Sequence, residues 1–185
     1  FTEGKTTLKN CAKEPEVVEL ANFLNKCGAS IQWAGESTIE ITGVDSLGSV
    51  EWDVLFDRIE AGTYLVAGAI TNGHITVKKI EPKTIQVLTN KLIEMGVNVS
   101  YGENWVEADA TSSEITCIDI DTEPFPGFPT DMQAQFMALN TIATGSCTIE
   151  ETVFENRFQH VSQLRKMGAD IVCLLYTSPS PRDTN

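Results

Sequence analysis

Gly73-His74-Ile75-Thr76-Val77 opens, and Gly96-Val97-Asn98-Val99 closes, the stretch of chain that decides the architecture. Between these two β-prone runs, Ile85, Leu88, Leu92 and Ile93 recur at the i, i+3, i+4 spacing of a helix with one apolar face. Pro82 falls near the first turn of that helix, where a missing N–H costs nothing, and Gly96 suits the left-handed residue that ends it. The stretch therefore reads as strand, helix, strand.

The same pattern occurs twice more. Gly4-Lys5-Thr6-Thr7-Leu8 leads to Gly28-Ala29-Ser30-Ile31, and Gly145-Ser146-Cys147-Thr148-Ile149 leads to Gly168-Ala169-Asp170-Ile171. From Gly4 to Gly28, Gly73 to Gly96 and Gly145 to Gly168 the separations are 24, 23 and 23 residues, and successive units start 69 and 72 residues apart. Agreement that close marks an internal repeat. The first helix carries its own stripe, Val17, Leu20, Ala21 and Leu24, with Pro15 near its first turn. Between the units, Thr38–Thr42, Val50–Val54, Trp105–Ala108 and Ile115–Ile120 alternate like strands with one buried face, and two further helices are expected over 57–71 and 131–144. The fold class is α/β (α+β in its mixed sheets): units of about 70 residues, packed together into a compact domain.

The chain has 13 Lys and Arg against 26 Asp and Glu, a formal net charge of −13. That argues against a nucleic-acid or anionic-membrane surface, since both need clustered positive charge. No apolar run approaches the roughly 20 residues that span a bilayer. Five cysteines at 11, 27, 117, 147 and 173 form no C-x-x-C pair, and only His74 and His160 could supplement them, so no metal site is expected. Scattered cysteines in odd number fit reduced thiols in the cytoplasm. The chain opens on Phe1 without a Met or a signal peptide, which suggests an internal piece of a longer protein. After Val172 the composition changes abruptly to Cys173-Leu174-Leu175-Tyr176-Thr177-Ser178-Pro179-Ser180-Pro181-Arg182-Asp183. Residues 173–185 resemble a translated sequencing adapter, and a disordered, non-native tail is expected there.

Three clusters could carry chemistry. In Phe125-Pro126-Gly127-Phe128-Pro129-Thr130-Asp131-Met132-Gln133, Thr130 and Gln133 have the spacing of a capping box, with Thr130 as N-cap. Asp131 then either complements the helix dipole or is a general base, held by a loop whose prolines and phenylalanines exclude water around it. In Thr152-Val153-Phe154-Glu155-Asn156-Arg157, Glu155 and Arg157 are too close in sequence to pair across a helix, so at least one can point into a cleft. In Asp57-Arg58-Ile59-Glu60, the two acids can be simple dipole complements. Lys5 after Gly4 imitates the end of a phosphate loop, but the upstream Gly is missing and the other units lack the Lys.

Taken together, Glu14-Pro15-Glu16-Val17-Val18, Asp57-Arg58-Ile59-Glu60-Ala61-Gly62-Thr63, Phe128-Pro129-Thr130-Asp131-Met132-Gln133-Ala134-Gln135-Phe136 and Thr152-Val153-Phe154-Glu155-Asn156-Arg157-Phe158 closely resemble the UDP-N-acetylglucosamine enolpyruvyl transferases of bacterial peptidoglycan synthesis. The resemblance runs from Phe1 to Val172. It implies two domains, each an inside-out α/β barrel of three repeats, with substrates between them. Residues 1–56 would close one domain and 57–172 open the other, with Asp57 and Arg58 at the hinge; the family usually has Pro where this chain has Phe56. The implied partners are UDP-N-acetylglucosamine and phosphoenolpyruvate, with no cofactor. Asp131 matches the carboxylate at the reacting 3′-hydroxyl, Val153 a backbone contact to the UDP-sugar, and Arg157 a cation facing the active site. The family's reactive Cys loop and its Lys-Asn pair would precede Phe1. Two other readings stand beside this one: a non-catalytic UDP-sugar-binding module, and a transferase of the related shikimate branch.

Overall fold

The computed structural model describes residues 1–33 and 37–174. Two of the three units form the same small sheet. In the first, β1 (Lys5–Leu8) is followed by α1 (Pro15–Lys26), β2 (Ser30–Trp33) and β3 (Ile39–Thr42), and β3 lies between the other two strands, antiparallel to both. In the second, β4 (His74–Lys78), α3 (Gln86–Glu94), β5 (Asn98–Tyr101) and β6 (Trp105–Asp109) repeat that order, with β6 in the middle. The crossover through a helix leaves a one-strand gap, and the next strand folds back to fill it. A shared bond marks the start of each sheet: the Gly4 carbonyl accepts from Gly43 N–H and the Gly73 carbonyl from Ala110 N–H, both at 2.9 Å.

The closing glycines act as their spacing predicts. Gly28, Gly96 and Gly168 have φ of 104°, 96° and 101°. Each donates to the carbonyl three residues back while the next residue donates to the one five back, as in Ala29 to Leu24, Val97 to Leu92 and Ala169 to Leu164. The third unit keeps this cap but has less sheet. β7 (Ile120–Asp121) pairs in parallel with β8 (Ile149–Glu150), α4 (Gln133–Asn140) lies between them in sequence, and α5 (Val161–Lys166) follows. Among the described residues no strand follows Gly168.

One core forms around α2 (Arg58–Ile70), where Leu65 and Ala69 are fully buried against Leu88, Leu92, Val106, Met132, Phe136 and Leu139. Two glycines permit the approach. A Cβ on Gly62 would fall 2.6 Å from Leu88 Cδ1, and one on Gly68 2.6 Å from Ile75 Cγ2. This core carries the Asp131 segment, since Met132 and Phe136 are part of it.

Several expectations need correction. Val50–Val54 is not a strand: Trp52 Nε1 and Leu55 N–H both donate to Glu19 Oε1, at 3.0 and 2.5 Å, and Val54 is exposed. Ile115–Ile120 pairs only at Thr116 and from Ile120 onward, because the Asn140 side chain takes both backbone groups of Ile118. The helix expected over 131–144 begins as a 3-10 turn, Thr130–Met132, and ends at Asn140. Leu20 and Ile93 lie on the exposed sides of their helices; the stripes bury Ala21 in α1 and Leu88 and Leu92 in α3. Of the tail, Cys173 and Leu174 are exposed, and 175–185 lie outside the described residues. The sheets are three separate pieces, so the fold is mixed α/β and no barrel closes among the described residues. No described helix is long and apolar enough to cross a membrane.

Candidate functional site

Asp131 sits in the 3-10 turn that leads into α4, and the core residue Met132 beside it fixes its backbone. Arg157 lies beyond β8 in the turn that precedes α5, after Asn156 in the left-handed region at φ 61°. The fold brings these two together. Arg157 donates to Asp131 Oδ1 at 2.5 Å, and its guanidinium lies 5.3 Å from the centroid of the Phe154 ring. A planar guanidinium can hold this carboxylate with one arm and present others to an anionic ligand. Glu155 and Arg157 both line an open cleft of about 420 Å³, along with His160. Burial, and then the neighbouring Arg157 charge, hold the His160 imidazole below its ordinary range.

The loop before Asp131 is anchored as expected, but it does not shut out water. Phe128 is buried edge-to-face on Phe136, with centroids 5.0 Å apart and planes at 87°. Phe125 lies under the Arg58 guanidinium, 5.7 Å away. The Asp131 side chain nevertheless remains 51% exposed, because the loop covers one side only. The capping box is also absent. Thr130 donates its hydroxyl to Glu151 Oε2 at 2.8 Å instead of accepting from α4, and the Gln133 side chain is buried.

Val153 belongs to the turn between β8 and Arg157. Its N–H donates to Glu151 Oε1 at 3.0 Å, so a main-chain contact from Val153 to a ligand falls to its carbonyl. Asp57 is the N-cap of α2, accepting from the amides of Ile59 and Glu60 at 2.8 and 3.0 Å. Arg58 is buried and bonded through Nε and a terminal nitrogen to the two oxygens of Glu16, at 3.3 and 3.1 Å, which ties α1 to α2. Neither joins the Asp131–Arg157 pair. Arg58 reaches that region through Phe125.

Glu151 was not singled out from the sequence. Its carboxylate accepts from Thr122, Thr130, Val153 and Phe154. Burial raises its pKa, but the hydrogen bonds, that from the Phe154 amide foremost, outweigh burial and hold it below the ordinary range. The available signal was an acceptor at a strand end followed by residues two and three further on whose amides turn back to it. Among the described residues no group of three or more His, Cys, Asp or Glu could hold a metal.

The family model of EPSP synthase (3-phosphoshikimate 1-carboxyvinyltransferase) matches residues 1–177, nearly the whole chain. The chain belongs to this enolpyruvyl transferase family. Within it, the chain is 56% identical over 171 residues to UDP-N-acetylglucosamine 1-carboxyvinyltransferase of Coxiella burnetii, covering 92% of this chain and 39% of the relative. Among solved structures it is similar to the enolpyruvyl transferase NikO from Streptomyces tendae, with a TM-score of 0.77 and 28% identity over 89% of this chain and 39% of that one. EPSP synthase from Acinetobacter baumannii shares the fold, with a TM-score of 0.52 and 16% identity over 80% of this chain and 34% of the other. This enolpyruvyl transferase chain thus spans well under half the length of these relatives, which are named as a carboxyvinyltransferase and an enolpyruvyl transferase.

Proposed function

We propose that this chain forms one wall of the active site of an enzyme that transfers the enolpyruvyl group of phosphoenolpyruvate to the 3′-hydroxyl of UDP-N-acetylglucosamine, the first committed step of peptidoglycan synthesis. The observation that carries the reading is the Asp131–Arg157 pair, at 2.5 Å on a half-open surface, in a chain 56% identical to an enzyme named for that sugar nucleotide. In the proposed reaction the sugar oxygen bonds to C2 of phosphoenolpyruvate, its proton passes to the Asp131 carboxylate, and C3 takes a proton from an acid on the opposite wall, which this chain does not include. Loss of that C3 proton and of phosphate then regenerates the double bond. Arg157 steadies Asp131 in the free protein and offers its remaining N–H groups to an anionic substrate. The Val153 carbonyl contacts the UDP-sugar.

The proposal includes two domains, 1–56 closing one and 57–172 opening the other, each completed as an inside-out barrel by repeats beyond this chain. The tethers through Glu16 and Glu19 support Asp57 and Arg58 as the place where the chain crosses between them. It requires no cofactor, and it places the enzyme in the cytoplasm, in keeping with five free cysteines. The 185-residue chain alone should not turn over, because catalysis needs the opposite wall.

Phosphate release by a full-length enzyme carrying this sequence tests the reading. Release with UDP-N-acetylglucosamine and phosphoenolpyruvate, and none with shikimate 3-phosphate, is expected. Turnover with shikimate 3-phosphate, or UDP-sugar binding without turnover, would overturn it.

A further inference from the structure

Glu151 is the first residue beyond the β7–β8 pairing, and four donors converge on its carboxylate. Oε1 accepts from the Thr122 hydroxyl at 2.8 Å and from the Val153 and Phe154 amides at 3.0 Å each, and Oε2 accepts from the Thr130 hydroxyl at 2.8 Å. A carboxylate has about four acceptor positions, two on each oxygen, so protein groups from three separate segments saturate Oε1 and occupy one position of Oε2. Thr122, fully buried at the end of β7, is bonded in turn to Thr152 through both its hydroxyl and its carbonyl. The cluster is therefore fixed to the sheet and not merely laid on the surface.

The two loops it joins are the ones that carry the proposed substrate contacts. Thr130 directly precedes Asp131, and the Val153–Phe154 turn leads to Arg157. A second tie between the same loops is the Arg157–Asp131 pair itself. That pair loosens when Asp131 turns to the sugar hydroxyl, whereas the Glu151–Thr130 bond need not. We infer that Glu151 is a positioning residue, which keeps the Asp131 loop and the Val153 turn in register as their own ion pair exchanges partners with the UDP-sugar. The inference rests on the reading of the site given above.

The test uses two preparations. In the full-length enzyme, Glu151→Ala should raise the KM for UDP-N-acetylglucosamine by about tenfold or more while that for phosphoenolpyruvate stays within about threefold, the scale set by lost hydrogen bonds to a charged group. Glu151→Gln keeps an oxygen for the two amides and an NH₂ that the Thr130 hydroxyl can accept from, so it should recover most of that loss. Thr130→Val removes one bond and leaves the Val153 turn tied, and should raise the same KM by about threefold or more. A purely structural role would lower the active fraction and leave both KM values unchanged. That result, or an equal rise in both, or Gln no better than Ala, would overturn the inference.

In the 185-residue chain, hydrogen exchange removes dependence on the reaction. Met132 N–H, bonded to the Pro129 carbonyl, should exchange about tenfold faster in Glu151→Ala and in Thr130→Val, with Leu65 and Leu92 unaffected. Unchanged exchange at Met132 would overturn the inference even if the transferase assay succeeds. A wild-type enzyme without turnover would overturn the functional reading, and exchange at Met132 would then decide the positioning role alone.

Discussion

Phe136→Ala should destabilise the chain more than any surface change, and its size follows from the packing. The Phe136 ring is fully buried in the core and meets Phe128 edge-to-face at 5.0 Å. Burying a Phe side chain is worth roughly 1.5–3 kcal/mol, and a void of about 100 Å³ at about 24 cal/mol per Å³ adds roughly 2 more. The sum, about 4–5 kcal/mol, lies in the range of measured Phe→Ala changes in cores. For a chain of this size each kcal/mol moves Tm by about 2–4 °C, so Tm should fall by roughly 8–20 °C. Urea denaturation of the 185-residue chain, followed by circular dichroism, gives the free energy directly. Phe128→Ala and the double variant complete a cycle, and their coupling should be about 0.5–1.5 kcal/mol because the edge-to-face pair is lost only once. A cost below about 1.5 kcal/mol for Phe136→Ala, or strict additivity, would refute the claim that this pair pins the Asp131 loop to the core.

Other outcomes follow from the same structure. Asp57→Ala removes the cap of α2 and should cost about 0.5–2 kcal/mol in urea denaturation, with Asp57→Asn nearly neutral. Arg157→Gln in the full-length enzyme should lower kcat/KM at least about tenfold, since it removes the charge offered to the anionic substrate. Acid should destabilise the fold. The Glu16 carboxyl is raised by burial but lowered further by Arg58, Glu107 is lowered by His74 and Thr76, and Glu151 is lowered on balance, so the unfolded chain binds more protons at low pH. Their contribution is complete above the ordinary glutamate range and is lost as pH falls through their folded values; Tm measured against pH should drop there, less steeply in Glu151→Gln.

Much of the fold could be read from the chain because its signals are local. Gly28, Gly96 and Gly168 end helices through backbone conformation that few other residues tolerate, so spacing alone located three helix ends. Asp57 was legible as an acid at a helix start for the same reason. What escaped depends on partners distant in sequence. Val50–Val54 alternates like a strand, yet Glu19 of α1 takes its donors. Thr130 and Gln133 have capping-box spacing, yet the Thr130 hydroxyl goes to Glu151, 21 residues away. Asp131 and Arg157 stand out separately in the sequence, and the resemblance assigns both to one active site, but their direct pairing is made by the fold, which brings residues 26 apart into contact. Leu20 looked like core and is exposed, because the described residues supply no second layer over that side of α1.

The central claim is that Asp131 takes a proton in enolpyruvyl transfer, and kcat of Asp131→Ala tests it most directly. In the full-length enzyme, with UDP-N-acetylglucosamine and phosphoenolpyruvate both saturating, phosphate release should fall by roughly 10²- to 10⁴-fold, the usual contribution of a positioned base. Saturation removes any effect on sugar binding, and a melting curve of the same variant separates catalysis from helix-dipole stabilisation, worth at most about 1 kcal/mol at an exposed site. A kcat within about threefold of the parent enzyme's would mean that Asp131 is not the base.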